Sequence, residues 1–302
     1  MAPDSTNTFA SFAEGMADAV ERAGMSTVLV NARNRLPASG IAWAADLVAT
    51  ADHAIEREDE ITVVAADGKE LPATLVGRDP ASDIAVLRVQ GTLAPATNRA
   101  AVLRPGLLVF AVGRPSTGGV QASLGIVSAL GGPWRTRSGR RVGGSIRTDA
   151  TFFPGFSGGP LVDAAGQVAG MNTSRFGRGS PLTLPLEVVS EVVSALVAHG
   201  RIRRGYLGIG SQPTRIAESL RAKLSQSQET GLLIVGVEPD SPAAKGGMLV
   251  GDILIGIDEA PIRDTRDLQA QLDGEIVGNA IRVNVLRGGE PATLTVTVGD
   301  RG

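Results

Sequence analysis

Three residues of this sequence have the types and the order that nucleophilic catalysis by an activated hydroxyl asks for. Ser157 stands in GFSGGP, residues 155–160, among glycines. A serine hydroxyl is a poor nucleophile until a base takes its proton. The base works best when a carboxylate fixes its tautomer and stabilises the imidazolium. The chain holds 2 histidines, His53 and His199. His199 ends VVSEVVSALVAHG, an apolar-periodic stretch closed by Gly200, which reads as a helix C-terminus. That leaves His53 as the candidate base. Asp83 opens the apolar run Ile84–Leu87. A carboxylate beside a buried strand needs a donor or a charge partner. Asp79, just before Pro80, is the better turn residue, so an imidazole N–H is a candidate partner for Asp83. Gly155 can adopt backbone angles that turn its N–H toward that of Ser157, as a tetrahedral oxyanion would require. Each signal has a bland alternative: a Gly-rich turn, a surface histidine, a capping aspartate. The order His, Asp, Ser within one β-rich region favours the chemistry.

Composition narrows the field. With 43% hydrophobic and 20% charged residues, the chain has ample core for a globular fold. Aromatics are only 3%, so that core is built from Val, Leu, Ile and Ala. The absence of cysteine excludes disulfides, thiolate catalysis and Cys-based metal sites. Two histidines so far apart give no metal site, and no cofactor motif is present. A net charge of −2 gives no overall pull toward nucleic acid or membrane. The Arg-rich stretch WRTRSGRRVGG (134–144) lacks interleaved aromatics and reads as a solvated hairpin tip. No signal-peptide pattern opens the sequence. Read as complete, the chain is expected in the cytoplasm; with a leader or anchor removed, it would be periplasmic or extracytoplasmic.

The elements that position these residues are mostly strands. Residues 8–24 have helical spacing (Phe9, Phe12, Met16, Val20). Short Val/Ile/Leu/Thr segments follow, separated by Gly, Pro, Asp and Asn, as in a β-sandwich or barrel. A helix over 185–198 closes this part. GRIRRG (200–205) reads as a linker, and from Tyr206 a compact α+β unit follows. The expected division is an N-terminal helical segment (1–25), a β-rich domain (26–199), the linker and a final domain (206–302).

The segments ATADHAI (49–55), DPASDIAVLRV (79–89), TDATFFPGFSGGPLVD (148–163), GQVAGMNTS (166–174) and LPLEVVSEVVSAL (184–196) resemble the HtrA/Deg family of trypsin-like serine proteases. RGYLGI (204–209) and GLLIVGVEPDSPAAKGGMLVGDILIGIDEAPI (231–262) resemble that family's single C-terminal PDZ domain. The resemblance implies a mainly β fold: a trypsin-like double β-barrel followed by an α+β PDZ domain. It implies that His53 is the general base, that Asp83 orients it and that Ser157 attacks, with Gly155 and Ser157 forming the oxyanion hole. It implies an ATP-independent endopeptidase acting on unfolded or damaged proteins, regulated by its PDZ domain, and a trimer joined through the N-terminal segment.

Further site expectations follow from the same motifs. Phe152 and Met171 are expected in the walls of the primary substrate pocket. The PDZ groove, for peptide C-termini, is expected around Tyr206, Leu207, Gly208 and Ile209, with Leu268 and Leu272 on the facing helix. The sequence departs from the family where Phe153 and Phe156 replace polar residues beside the nucleophile. These two motivate an alternative: a non-proteolytic chaperone or peptide-binding protein with a collapsed oxyanion loop.

Overall fold

The computed structural model describes residues 5–96, 102–135, 141–176, 182–203, 205–221, 228–272 and 276–300. Contacts divide the chain into Met1–Ile202 and Arg203–Gly302. The expected linker therefore falls on both sides of the division, and Gly205 already pairs with Asp300 in the second unit.

The first unit opens with α1 (Ser5–Ser26), longer at both ends than its periodicity suggests. Six strands then close an antiparallel barrel: β1 (Thr27–Asn31), β2 (Ala38–Ala42), β3 (Leu47–Thr50), β4 (Ile61–Val64), β5 (Glu70–Asp79) and β6 (Ile84–Val89). Its interior is the small aliphatic set that composition anticipates, including Val28, Val48, Ile61, Leu71, Ala85 and Leu87. The second barrel is formed by β7 (Leu108–Ser116), β8 (Gly119–Gly131), β11 (Ser145–Thr148), β12 (Pro160–Asp163), β13 (Val168–Thr173) and β14 (Leu182–Pro185). Between β8 and β11 the short strands β9 (Trp134–Arg135) and β10 (Arg141–Val142) pair with each other. This gives the Arg-rich stretch a hairpin stem, while its tip lies outside the described residues. Helix α2 (Leu186–His199) closes the unit. Gly200, at φ +70°, donates its N–H to Leu196 O, so His199 ends a helix as its sequence context suggests.

A third apolar core joins the barrels. Ile41, Ala49, Ile84 and Val86 come from the first barrel, Phe110, Val112, Met171 and Leu184 from the second, with Val189 and Leu196 of α2. Closing each sheet on itself removes its edges. The cleft between the barrels is therefore built from strand ends and turns, where backbone N–H groups remain available.

The second unit is an α+β sheet with its own core of Leu232, Ile234, Leu254, Val283, Val285 and Val296, among others. Its main sheet runs in the order β16 (Ile209–Arg215), β17 (Thr230–Val237), β18 (Ile253–Ile257), β20 (Ala280–Arg287), β21 (Glu290–Thr297). β19 (Ala260–Pro261) pairs with β18, and β15 (Gly205–Tyr206) pairs with β22 (Gly299–Asp300). Short helices α3 (Glu218–Arg221), α4 (Pro242–Lys245) and α5 (Thr265–Gln271) complete it. The Asp264 carboxylate caps α5 by accepting from the Arg266 and Asp267 N–H groups.

Candidate active site

His53 sits in a single 3-10 turn, Asp52–Ala54, just past the end of β3. Asp83 immediately precedes β6, the neighbour of β3 in the barrel. Its φ of +60° is a left-handed conformation that Asp tolerates better than most residues. There the Asp83 carboxylate is fully buried and meets four contacts. Oδ1 accepts from the His53 N–H (2.9 Å) and lies 2.9 Å from His53 Nδ1. Oδ2 lies 2.8 Å from His53 Nδ1 and accepts from Thr173 Oγ1 at 2.5 Å. The Asp83 carbonyl accepts from the Asp52 N–H at 3.1 Å. Asp79 does the turn work expected of it, accepting from the Ala81 and Ser82 N–H groups.

A second carboxylate steadies the turn that carries His53. Asp52 is 4% exposed and accepts from Arg78 Nε at 2.6 Å. The same guanidinium donates to the Asp52 and Ile55 carbonyls and to Glu58. Burial opposes the charge on Arg78, but Asp52 first and Glu58 second outweigh it and hold its pKa above the usual arginine value.

Ser157 lies on the loop that enters β12. Phe153 O accepts from the Phe156 N–H at 3.0 Å, with Pro154 second and Gly155, at φ +87°, third. That is the pattern of a type II turn. A side chain at Gly155 would also meet Pro115 Cβ at 2.6 Å and Pro37 O at 2.9 Å. Ser39 ties the loop from across the cleft. Its N–H donates to Ser157 O (3.2 Å), and its Oγ donates to Gly155 O (2.7 Å) while accepting from the Arg114 N–H (2.8 Å). With both carbonyls engaged, the N–H groups of Gly155 and Ser157 donate to no protein acceptor among the described residues. They are available to a developing oxyanion.

Phe156 explains how an apolar residue can precede Ser157. It is 1% exposed and fills the interior of the second barrel with Val109, Ala111, Leu161 and Ala169. Gly113 makes the space: a Cβ there would lie 2.6 Å from the Phe156 ring. Phe153 stacks on it edge-to-face at 5.3 Å.

The three candidate catalytic residues thus meet in one cleft, though not in a direct chain. Ser157 Oγ bonds to Ser174, through Oγ (3.1 Å) and through the Ser174 N–H (3.3 Å). Ser174 Oγ in turn lies 3.4 Å from His53 Nε2. Of the two pocket candidates, Phe152 is half-buried against the second barrel's interior. Met171 is not a wall residue. It is 0% exposed in the core between the barrels, on the same face of β13 as Thr173, so it presents nothing to a cleft.

In the second unit, β16 is an edge strand with α5 packed near it. Gly208, at φ +79°, precedes β16, and its carbonyl accepts from the Glu238 N–H. The Tyr206 hydroxyl donates to Glu238. Ile209 and Leu272 are half-buried beside Leu207 and Leu268, which belong to the core.

Thr173, Ser174, Ser39 and Arg78 are the site residues that sequence reasoning missed. Thr173 and Ser174 lie within a quoted motif, MNTS, but small hydroxyls are too common for type alone to mark them.

Comparison with known proteins agrees with this architecture. A trypsin-like peptidase domain matches residues 38–171 and a PDZ domain matches residues 205–298. Among solved structures, the HtrA-type protease AlgW with a decapeptide superposes with a TM-score of 0.73 at 30% identity, over 95% of this chain and 99% of that one. The chain belongs to the HtrA/Deg family. A serine endoprotease from Yersinia pestis superposes with a TM-score of 0.73 at 29% identity, over 95% and 98% of the two chains. A DegP-like periplasmic serine endoprotease of Pseudomonas fluorescens is 34% identical over 269 residues, covering 86% of this chain and 56% of that protein. Its counterpart in Ectopseudomonas mendocina is 35% identical over the same length. The chain spans about half the length of these curated relatives.

Proposed function

We propose that this HtrA/Deg chain is a serine endopeptidase, with Ser157 as nucleophile, His53 as general base and Asp83 as the group that orients the base. The Gly155 and Ser157 N–H groups stabilise the tetrahedral intermediate. The observation that carries the reading is the joint geometry: a buried Asp83 on His53 Nδ1, and two uncommitted N–H groups beside Ser157. A non-proteolytic reading drew on Phe153 and Phe156. It loses its motive once these two form the Pro-Gly turn and its barrel anchor. Hydrolysis of casein, a largely unfolded protein, tests the proposal. Ser157→Ala and His53→Ala should each lower the rate by several orders of magnitude, and the double variant by little more, because the groups act as a unit. Substantial hydrolysis by Ser157→Ala would refute the assignment.

The substrates we propose are unfolded or damaged proteins. Peptide C-termini would add as a strand at the edge of β16 and place their carboxylate at the turn Tyr206–Ile209. A trimer draws support from exposed apolar side chains. Helix α1 packs on the second barrel through Met16, Ala19, Val20 and Ala23, yet leaves Phe9 and Phe12 exposed, as β8 leaves Leu124 and Leu130. The names of the curated relatives place those proteins in the periplasm, which supports the extracytoplasmic alternative for this one.

A further inference from the structure

We propose that Ser174 is a hydroxyl latch on the nucleophile, and that Ser157 must leave it before attack can occur. The inference deepens the endopeptidase reading and rests on Ser157 being the nucleophile.

Proton positions follow from the partners. His53 Nδ1 faces the Asp83 carboxylate at 2.8 Å, so Nδ1 carries the proton and Nε2 presents a lone pair. Ser174 O–H therefore donates to Nε2, across 3.4 Å. Ser157 O–H donates to Ser174 Oγ at 3.1 Å, and the Ser174 N–H donates to Ser157 Oγ at 3.3 Å. One residue thus occupies both ends of the proton transfer. The base's lone pair receives Ser174's proton, and the nucleophile's own proton points at Ser174. The N–H on Ser157 Oγ also draws on the lone pair that would attack.

The same atoms could be read as a relay, with the Ser157 proton passing to Ser174 as the Ser174 proton passes to Nε2. Geometry favours the latch. A relay leaves the Ser174 N–H on Ser157 Oγ, where it draws on the lone pair that must attack.

The latch is also placed to open. Thr173 is fully buried, with its hydroxyl donating to Asp83 and accepting from the Arg175 N–H at 3.0 Å. Ser174 follows directly, is exposed, and begins the bend that runs to Phe176. Thr173 fixes the position of the bend while Ser174 reaches over the nucleophile from solvent. A rotation of Ser157 toward Nε2 breaks two hydrogen bonds, both at an exposed residue where water can replace the protein partner.

The test uses the full chain and two readouts: the rate at which a fluorophosphonate labels the active serine, and turnover of a short peptide. Ser174→Ala removes the hydroxyl that bridges nucleophile and base. Labelling rate and kcat should both rise, by about threefold to tenfold, the weight of one part-buried neutral hydrogen bond. KM should stay within about a factor of two, because ground-state binding is untouched. Ser174→Thr, which restores the hydroxyl, should bring both rates back down. A slower Ser174→Ala would establish a relay and overturn the latch; an unchanged rate would make Ser174 a bystander and overturn it equally. Ser157→Ala separates the two levels. If it still labels and hydrolyses, the nucleophile assignment fails; if it is inert while Ser174→Ala is no faster, the latch alone fails.

Discussion

The two sides of the cleft are held by opposite kinds of force. On the first barrel, the turn bearing His53 is fixed by charge: Asp52 on Arg78, and Asp83 on the imidazole, both carboxylates almost wholly buried. On the second barrel, the loop bearing Ser157 holds no ion pair among the described residues. Phe156 plugs the barrel interior, Phe153 stacks on it, and Pro154-Gly155 sets the turn. Each force suits the task proposed for its side. A base must be oriented and its positive form stabilised, which a carboxylate does. An oxyanion hole must keep its N–H groups uncommitted, and an apolar anchor makes no claim on them. Ser39, of the first barrel, joins the two sides by holding the carbonyls rather than the N–H groups.

The largest expected effect comes from emptying the barrel plug. Phe156→Ala removes a fully buried ring, and such truncations cost about 3–5 kcal/mol. Chemical denaturation should show that loss, and kcat should fall with it because the Gly155 N–H is no longer held in place. Gly113→Ala approaches the same contact from the other side. Its Cβ would press on the ring, an overpacking cost of about 1–3 kcal/mol. If Phe156→Ala left stability unchanged, the second barrel's loop would not be held by packing.

The next effect belongs to the charged side. Arg78→Met leaves the Asp52 carboxylate buried without its partner. Breaking such a pair is expected to cost about 2–4 kcal/mol, reduced from the fully buried case because Arg78 is partly exposed. Adding Asp52→Asn should recover most of it, since the orphaned charge disappears. A double variant as unstable as Arg78→Met alone would mean that Arg78 acts by packing its stem, and the contrast between the two sides would weaken.

Legibility in the sequence follows the same division. Chemistry that depends on residue type could be read directly: one candidate histidine, one aspartate at the head of a buried apolar run, one serine among glycines. The strands could be read because their residues are short, β-branched and separated by turn formers. Partnerships across the chain could not. Nothing near Phe156 announces that Gly113, far upstream, leaves a hole for its ring. Arg78 and Asp52 meet because β5 returns beneath the 3-10 turn, and no local pattern encodes that return. Motif matching puts Met171 at a pocket wall, but a motif carries no strand parity. Residues alternate faces along β13, and Met171 shares the face of Thr173, which looks toward Asp83 and the core between the barrels.

The smallest effect is the sharpest test of whether burial, rather than charge alone, fixes the base. Arg78 bonds two carboxylates with similar geometry, Asp52 at 2.6 Å and Glu58 at 3.0 Å. Their surroundings differ: the Asp52 side chain is 4% exposed and that of Glu58 is 61% exposed. Water already solvates Glu58, and ordering a long side chain opposes the gain, so exposed pairs contribute about 0–1 kcal/mol. Glu58→Gln should therefore cost well under about 1 kcal/mol at low salt. What it costs should vanish by roughly 1 M salt, where the screening length is about 3 Å. The penalty for Arg78→Met should persist under the same conditions, because Asp52 is shielded from the ions. Denaturation of both variants at two ionic strengths decides the point. A Glu58→Gln penalty as large and as salt-resistant as that of Arg78→Met would show that the exposed carboxylate carries the turn, and that His53 is held from the surface rather than from the core.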